Sequence, residues 1–340
     1  MKKTLLITWW AWYIWSHTVV ELVNAWYKVV IVDNFSNSSN KSLDWIFQIT
    51  WVKPDFYEID LLNKIELKKV FEKYNFDWVL HFAWLKAVWE STIKPLEYFD
   101  NNITWSLRLF ELMQEFEVKN IIFSSSATVY KAKELTNEWY NELDLTWETT
   151  NPYWTTKFLL ENILLDLSKF LWFNVVNLRY FNPIWAHNSG LIWEDPNGIP
   201  NNLLPYIMKV AIWELKSVWV FWDDYETIDW TWVRDYIDVV DLAFWHVKAY
   251  EFLEKNKTEK WFFEIFNLWT WVWVSVLEMI KNSEIASNVK INYEIKPRRA
   301  WDLAEVYCNP IKAKQILNWQ AQTKLIDSLK NSWKFYNKKI

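Results

Sequence analysis

The feature that most constrains how this chain can fold is its shortage of glycine: its 340 residues include only 2 glycines, against 30 tryptophans. Folded domains contain about 7% glycine, because tight turns and close backbone approaches need a residue that adopts positive φ. The bulky side chain of tryptophan disfavours that conformation. We therefore expect many of the tryptophans to stand where the fold requires glycine.

Composition argues against several other kinds of protein. The net charge is −5 with no long run of one sign, which argues against nucleic acid or an anionic membrane as the main partner. A single cysteine, Cys308, rules out a disulfide framework and fits a reducing cytoplasm. The apolar N-terminus could belong to a signal peptide, but we interpret it as a buried strand. No apolar stretch approaches the ~18 residues of a membrane span.

Short apolar runs alternate with helical patterns through the first half of the chain. This alternation predicts an α/β fold with a Rossmann-like, doubly wound parallel sheet. From residue 182 the segments become irregular, which predicts a smaller C-terminal substrate-binding domain. We expect domains of residues 1–181 and 182–340, with some segments of the second packing on the first. The expected strands are Thr4–Thr8, Lys28–Asp33, a third ending in Phe56–Asp60, Trp78–Ala83, Asn120–Ser125 and Phe173–Arg179, and the expected helices are Ser16–Ala25, Ile65–Tyr74, Ile103–Phe116 and Tyr153–Phe170.

The segment after the first expected strand reads TWWAWYIWSH, from Thr8 to His17. A dinucleotide-binding fold needs glycines here, because the backbone must turn tightly and let the pyrophosphate reach the helix N-terminus. With glycine for each tryptophan the segment reads TGGAGYIGSH, between a strand and a helix, as that binding mode requires. Asp33, at the end of the next strand, is placed to bind ribose hydroxyls and to favour NAD over NADP.

The same replacement restores other segments, which then resemble the motifs of one family. FAWLKAVWES becomes FAGLKAVGES, YFNPIWAH becomes YFNPIGAH, DWTWVRDYIDV becomes DGTGVRDYIDV, NLWTWVWVSV becomes NLGTGVGVSV, and RRAWDLAE becomes RRAGDLAE. Together these motifs span about Thr8 to Glu305. On them the chain resembles the UDP-glucose/UDP-galactose 4-epimerases of the extended short-chain dehydrogenase/reductase family.

We interpret the tryptophans as a decoding artefact: the source reads the codon UGA as glycine, and translation with a different table writes tryptophan. The alternative is a genuinely tryptophan-rich chain, which we expect neither to bind NAD nor to fold well. Gly190 and Gly198 would come from ordinary glycine codons, Trp319 and Trp333 would be true tryptophans, and Trp45, Trp139 and Trp147 are the least certain replacements.

The expected catalytic groups are Ser126, Tyr153 and Lys157. Tyr153 and Lys157 are four residues apart, on one face of a helix that begins near Asn151 and Pro152. A tyrosine with a pKa near ~10 is a poor base at neutral pH, but a neighbouring ammonium stabilises the phenolate. Y-x-x-x-K alone is common by chance, and its weight comes from the upstream SSSATVY segment and the dinucleotide loop.

The resemblance implies NAD as cofactor, a UDP-sugar as substrate, a homodimer through a helix pair that includes Ile103–Phe116, and a cytoplasmic enzyme of galactose or nucleotide-sugar metabolism. It implies that Tyr153 takes the proton of the sugar 4-hydroxyl while NAD oxidises C4, and that the 4-keto sugar turns before reduction on its other face. The four histidines show no metal-ligand spacing, so we expect no metal.

The resemblance also implies which residues bind these molecules. The substrate residues are Ser126, Asn182, Asn202, Arg234, Arg299, Asp302 and Val306. The cofactor residues are Trp9, Trp12, Tyr13, Ile14, Trp15, Asp33, Asn34, Asp60, Leu61, Phe82, Ala83, Lys86, Asn101, Ser124, Tyr153, Lys157 and Phe181.

Two positions of the chain depart from the family's pattern, and two alternative functions remain open. At the position of Val306, a bulky tyrosine in the family accompanies activity on UDP-glucose and UDP-galactose only. Because valine is smaller, we expect that this chain also accepts N-acetyl sugars. Lys131 replaces a usual glycine, for which we have no account. A sugar-nucleotide dehydratase or decarboxylase would share the fold, but dehydratases carry an acid pair where this chain has Ala127 and Thr128. A non-enzymatic, aromatic-rich binding module is the other alternative.

Overall fold

The computed structural model describes residues 2–8, 12–35, 40–131, 139–180, 182–184, 186–193, 200, 202–221, 226–257, 260–297, 305–306 and 308–338.

The strands within these residues form one large sheet and two small ones. Seven parallel strands make the large sheet, in the order β10-β6-β5-β4-β1-β2-β3. The strands are β1 (Thr4–Thr8), β2 (Lys28–Asp33), β3 (Asp55–Glu58), β4 (Trp78–His81), β5 (Asn120–Ser126), β6 (Asn174–Tyr180), β7 (Asn182–Ile184), β8 (Val218–Phe221), β9 (Val233–Asp238), β10 (Phe262–Asn267), β11 (Trp273–Ser275), β12 (Tyr293–Lys296) and β13 (Glu305–Val306).

The helices cover both faces of the large sheet and one end of the smaller lobe. They are α1 (Trp12–Asn24), α2 (Lys41–Thr50), α3 (Lys64–Lys73), α4 (Val88–Ile93), α5 (Pro95–Phe99), α6 (Trp105–Glu115), α7 (Pro152–Leu171), α8 (Leu203–Ala211), α9 (Val239–Asn256), α10 (Val276–Ser287), α11 (Ile311–Leu317) and α12 (Leu325–Asn337). A π-helical turn, Asp100–Thr104, joins α5 to α6, and a 3-10 turn, Ala127–Val129, follows β5.

The large sheet is buried on both faces, as its continuous apolar strands predict. In β1, Leu5 and Ile7 point into a core shared with α1, α2 and α9, while Leu6 points into a core shared with α3, α6 and α7. Alternation of side chains along a strand produces this division. The expected α/β, Rossmann-like fold is therefore confirmed.

The second half of the chain builds a smaller lobe and also returns to the large sheet. Strands β11, β9 and β13 pair in that order, β7 adds to β9, and β8 pairs with β12. Helices α8, α10 and α12 enclose a third apolar core on these strands. In contrast, β10 pairs with β6 at the edge of the large sheet, and α9 packs on α1.

Several expected boundaries were wrong. Helix α1 begins at Trp12 rather than Ser16, and β4 ends at His81, where the chain leaves the sheet. The helix expected from Ile103 starts as α6 at Trp105, because the preceding residues form the π-helical turn. Helices α2, α4 and α5 were not expected; α4 and α5 are too short to show a clear helical period, whereas the apolar face of α2, with Leu43 and Ile46, was missed.

Among the residues that the structure describes, six tryptophans have a backbone conformation that favours glycine. Trp51 and Trp172 directly follow α2 and α7 in the left-handed region, with φ of 57° and 59°. This is the position after a helix where glycine is most common, because it lacks the Cβ that is strained there. Positive φ values up to 69° are also found at Trp26, Trp213, Trp230 and Trp271.

Candidate active site

Several of the expected catalytic and cofactor residues lie at the carboxyl edge of the large sheet. The strand order changes direction between β4 and β1, and ligands of open α/β sheets bind in the crevice outside such a point. Thr8, Asp33, His81 and Ser126 are the last residues of β1, β2, β4 and β5. The edge therefore places Thr8, with which the dinucleotide segment begins, on the same side of the sheet as Ser126.

The first two turns of α7 carry Tyr153 and Lys157. The helix starts here because Asn151 caps it, its side-chain oxygen accepting from the Trp154 amide at 3.0 Å, and because Pro152 suits the first helical position. The buried Lys157 ammonium donates to the Ser124 carbonyl oxygen at 2.5 Å. It lies 6.0 Å from the centre of the Tyr153 ring, so the two groups share one face of the helix.

Burial acts on the two groups in opposite senses. It raises the pKa of Tyr153, because an apolar environment disfavours phenolate. It lowers the pKa of Lys157. The Glu161 carboxylate, one turn further along α7, acts in the opposite direction and raises that pKa. Tyr153 therefore depends on a nearby positive charge to work as a base.

Ser126 ends β5 next to this helix. Its hydroxyl oxygen accepts from the Thr128 amide at 3.2 Å and from the Thr128 hydroxyl at 2.9 Å. The 3-10 turn that begins at Ala127 packs on α7. Two residues earlier, the Ser124 hydroxyl hydrogen-bonds the Tyr180 hydroxyl. The structure thus brings Ser124, Ser126 and the helix with Tyr153 to one corner of the edge.

A tryptophan occupies the space beside the lysine. The Lys157 ammonium lies 3.2 Å from the centre of the Trp84 ring, and Trp84 is buried. Its indole N–H has no hydrogen-bond partner among the residues that the structure describes. Phe82 and Ala83 before it are also buried, while Lys86 is exposed. With an indole at position 84, the site does not fit a cofactor that must reach Lys157.

The other end of the edge fits a ribose. Asp33 is buried, and its carboxylate accepts from the Phe35 amide at 2.6 Å. Asn34 donates to the Asp60 carboxylate at 2.8 Å, and the buried Leu61 follows. Carboxylates at the ends of neighbouring strands are suitable acceptors for sugar hydroxyls.

Two buried polar residues that we did not assign to the site connect its segments. Asn102 lies in the π-helical turn, and its side chain bonds the Leu85 amide at 2.8 Å, the Leu85 carbonyl at 3.2 Å and the Thr156 hydroxyl at 3.0 Å. Its neighbour Asn101, the expected cofactor residue, donates instead to the Glu97 carbonyl at 2.7 Å. His81 was expected to be structural, and it bridges Thr8 and Ser106. Sequence offers no signal for Asn102, because the π-helical turn determines which asparagine faces inward.

Three of the expected substrate residues meet in the small sheet. Val306 pairs with Arg234 between β13 and β9, and Asn182 pairs with Tyr236 between β7 and β9. The Arg234 guanidinium lies 4.9 Å from the centre of the Trp232 ring. Asn202 lies apart from these strands, at the start of α8.

The structure describes the remaining expected site residues only in part. Ile14 and Trp15 lie in the first turn of α1, and Trp15 is buried. For Trp12, Tyr13 and Val306 only the backbone is described. The expected site residues Trp9, Phe181, Arg299 and Asp302 lie outside the described residues.

The chain is similar to known proteins over nearly its whole length. Residues 6–331 match the protein family described as GDP-mannose 4,6 dehydratase. The chain is 48% identical to a UDP-glucose 4-epimerase of Pasteurella multocida, over 98% of this chain and 97% of that protein.

Solved structures agree. A UDP-glucose-4-epimerase of Stenotrophomonas maltophila with bound NAD and formylated UDP-arabinopyranose matches with a TM-score of 0.94 and 39% identity, over 99% of this chain and 98% of that one. A UDP-glucose 4-epimerase of Bifidobacterium longum in complex with NAD+ and UDP matches with a TM-score of 0.92 and 45% identity, over the same shares of the two chains.

Neither a membrane span nor a metal cluster is found among the described residues. None of their helices is long and apolar enough to cross a membrane. They contain no group of three or more His, Cys, Asp or Glu side chains that could hold a metal ion.

Proposed function

The chain belongs to the UDP-glucose 4-epimerase family, and from this premise we propose that Tyr153, Lys157 and Ser126 carry out NAD-dependent inversion at C4 of UDP-glucose and UDP-galactose. The observation that carries the assignment is the buried Lys157 ammonium on the same helical face as Tyr153, one turn away and next to the end of β5.

Each of these groups has a task in the reaction. Tyr153 takes the proton of the sugar 4-hydroxyl and later returns a proton to the same oxygen, so the enzyme ends the cycle unchanged. Lys157 stabilises the phenolate that Tyr153 needs to be a base. Ser126 hydrogen-bonds the same sugar oxygen and holds it at the tyrosine. Oxidation and re-reduction at C4 are the chemistry that bound NAD supplies.

Residues of the crevice edge would hold the cofactor. Asp33 and Asp60 would accept hydrogen bonds from the adenosine end, and Lys86 and Lys157 would contact the nicotinamide ribose. This set is compatible with NAD once position 84 carries no side chain, since the Trp84 indole covers Lys157. The contacts of the other expected cofactor residues with NAD stay predictions.

The site argues against a dehydratase. Elimination of water requires an acid and a base beyond the tyrosine. Directly after Ser126 the chain has Ala127, which cannot transfer a proton, and Thr128, whose hydroxyl is already bonded to Ser126. The test is to incubate the purified protein with UDP-galactose: UDP-glucose should form and approach equilibrium with it. A dehydrated 4-keto-6-deoxy product in place of UDP-glucose would contradict the proposal.

We further propose that all tryptophans except Trp319 and Trp333 are glycine in the natural protein. The positive φ at six of them and the indole of Trp84 in the cofactor crevice support this. The test is the mass of the peptide of residues 4–28 from protein made in its own host. Glycine at positions 9, 10, 12, 15 and 26 would establish recoding, whereas tryptophan there would mean a blocked cofactor loop and would remove the proposed catalysis.

Val306 suggests a wider substrate range. A valine in place of the family's tyrosine leaves room near C2 of the sugar, so we propose that UDP-GlcNAc and UDP-GalNAc are also interconverted. The matched variant is Val306→Tyr, which should lose the N-acetyl substrates and keep UDP-glucose. Absence of N-acetyl turnover in an enzyme that is active on UDP-galactose would overturn this part alone.

A cytoplasmic homodimer through α6 and a neighbouring helix is the remaining proposal. Helix α6 leaves Leu107 partly exposed, as an isologous helix contact requires. Light scattering after gel filtration tests it: twice the chain mass is expected, and a monomer would contradict the proposal. Cell fractionation tests the compartment, and recovery in a membrane or secreted fraction would contradict it.

A further inference from the structure

Helix α7 carries a third polar residue on the face of Tyr153 and Lys157. Glu161 is one turn beyond Lys157 and is buried, with 5% of its surface exposed. One carboxylate oxygen accepts a hydrogen bond from the Ser125 hydroxyl. Lys157 bonds the carbonyl of Ser124, so consecutive residues of β5 are held by consecutive turns of α7. The next residue of that strand is Ser126.

A buried arginine holds both oxygens of the same carboxylate. Arg179 on β6 donates to Glu161 through Nε at 2.9 Å and through its terminal nitrogen at 2.5 Å, and it is 2% exposed. In the sheet Arg179 is the partner of Ser125. Its guanidinium also lies 4.6 Å from the centre of the Tyr130 ring. One carboxylate thus joins α7, β5 and β6 at a single point.

Stability alone does not account for this pair. Desolvation of two charges offsets much of their attraction, and apolar replacements of similar volume are often equally stable. Two parallel hydrogen bonds, however, fix direction as well as distance. A displacement of about 1 Å at a reacting group can reduce the rate by about 100-fold. A bidentate clamp two turns behind the tyrosine restricts the helix from sliding along β5.

We propose that Glu161, held by Arg179, is a positioning residue of the epimerase reaction that sets the register of Tyr153 and Lys157 against Ser126. The inference rests on the catalytic roles proposed above for those three residues. Glu161 itself does not contact the sugar. Glu161 also acts on Lys157 through its charge, and its positioning effect is transmitted through Ser125 and through the helix.

The test replaces both partners of the Glu161–Arg179 pair, so neither of them is left as an unpaired buried charge, and the Arg179→Lys variant below keeps the Glu161 charge beside Lys157. The variant combines Ser125→Ala, Glu161→Met and Arg179→Met, in protein that has glycine at the tryptophan positions proposed above to be glycine. We expect NAD content and the KM for UDP-galactose within about 3-fold of the parent, and kcat lower by about 10- to 100-fold. The decisive readout is the rate at which UDP-galactose reduces bound cofactor in a single turnover, because partial unfolding lowers the amplitude and not this rate.

Two further variants keep the test decisive if the triple variant does not fold. Arg179→Lys keeps the charge but loses the bidentate geometry, so the single-turnover rate should fall. Asp241→Asn is the matched control, since this buried carboxylate on α9 accepts from the amides of Gln322 and Thr323 at 2.9 and 2.8 Å, away from α7. Its rate per bound cofactor should not change.

The outcomes separate this inference from the proposed function. Parental single-turnover rates in the triple variant or in Arg179→Lys would overturn the positioning role. Parental activity in Tyr153→Phe would overturn the catalytic assignment itself, whatever the clamp variants do.

Discussion

The ammonium nitrogen of Lys157 lies 3.2 Å from the centre of the Trp84 indole, and both side chains are buried. A cation over the face of an indole is attracted to it, more strongly when water is excluded. The indole therefore occupies the surface of Lys157 that a bound ribose would need. A glycine at position 84 would leave that surface open. The shortage of glycine in the chain therefore bears directly on cofactor binding at Lys157.

Position 84 should decide cofactor retention. We compare two chains that have glycine at the other proposed positions and differ only at residue 84. The chain with glycine should copurify with NAD, and the chain with tryptophan should retain less than about a tenth as much, because the indole fills the site. NAD released on denaturation, per mole of protein, is the measurement. Tryptophan at the exposed Trp147 position is the control and should leave NAD content unchanged. Equal NAD content in all three chains would contradict the steric argument.

Stability should respond oppositely at two exposed tryptophans. Trp172 has a φ of 59°, so Trp172→Gly should raise the free energy of unfolding by about 1 kcal/mol. Trp89 lies within helix α4, so Trp89→Gly should lower it by a few tenths to about 1 kcal/mol. Urea denaturation of each variant gives both values. Destabilisation by glycine at position 172 would mean that the left-handed backbone there is not strained by an indole.

The apolar strands and the catalytic segment could be predicted from sequence because their signals are local. The short apolar runs around Leu6 and Val30 favour buried strands, and the spacing of Tyr153 and Lys157 follows the helical period. The same spacing extended by four residues would have pointed to Glu161. Its partner Arg179 could not be found this way, since the contact depends on how β6 lies beside β5.

Other features depend on non-local contacts. The return of β10 to the large sheet follows from its pairing with β6, which no pattern within β10 itself reveals. The extra residue of the π-helical turn changes which side chains face inward, so it buries Asn102 and leaves Asn101 half-buried. A helical period cannot show such an insertion.

His81 should make stability depend on pH in a defined window. Ser106 donates its hydroxyl proton to the Asn102 carbonyl at 2.6 Å, so its oxygen accepts from Nε2–H of His81 at 2.8 Å. Nδ1 then accepts from the Thr8 hydroxyl at 2.6 Å, and the ring is neutral. Burial, and then the charge of Lys157, lower the pKa of His81 to about 3.

The sign follows from linkage. The unfolded chain takes up a proton at His81 as the pH falls below ~6.5, whereas the folded chain does not until about pH 3. The stability that His81 contributes is therefore present above ~6.5 and lost as the pH falls. Between pH 7 and 5 the parent should lose about 2 kcal/mol more than His81→Gln. Urea unfolding of both proteins across this range measures it, and the other histidines cancel in the difference. Parallel curves for the two proteins would contradict a neutral His81.

Lys157 should control the pH dependence of turnover. Burial raises the pKa of Tyr153. The Lys157 ammonium is the positive side chain on the same face of α7 as Tyr153. The other titratable neighbours of Lys157 are Glu161 and His81. An adjacent opposite charge lowers a pKa by about 1–3 units. In Lys157→Met the phenolate should form only at higher pH, so the acidic limb of kcat should move upward by about 1–3 pH units. Turnover at neutral pH should fall by about 10- to 1000-fold.

The measurement is kcat for UDP-galactose against pH, per mole of bound NAD, so that weaker cofactor binding does not enter. Lys131→Met is the matched control, because Lys131 is an exposed lysine paired with Glu148 at 2.9 Å. Its acidic limb should coincide with that of the parent. Tyr153→Phe should have no such limb, since its residual turnover no longer depends on a phenolate. If Lys157→Met kept the parental limb, the charge that activates Tyr153 would have to come from another group.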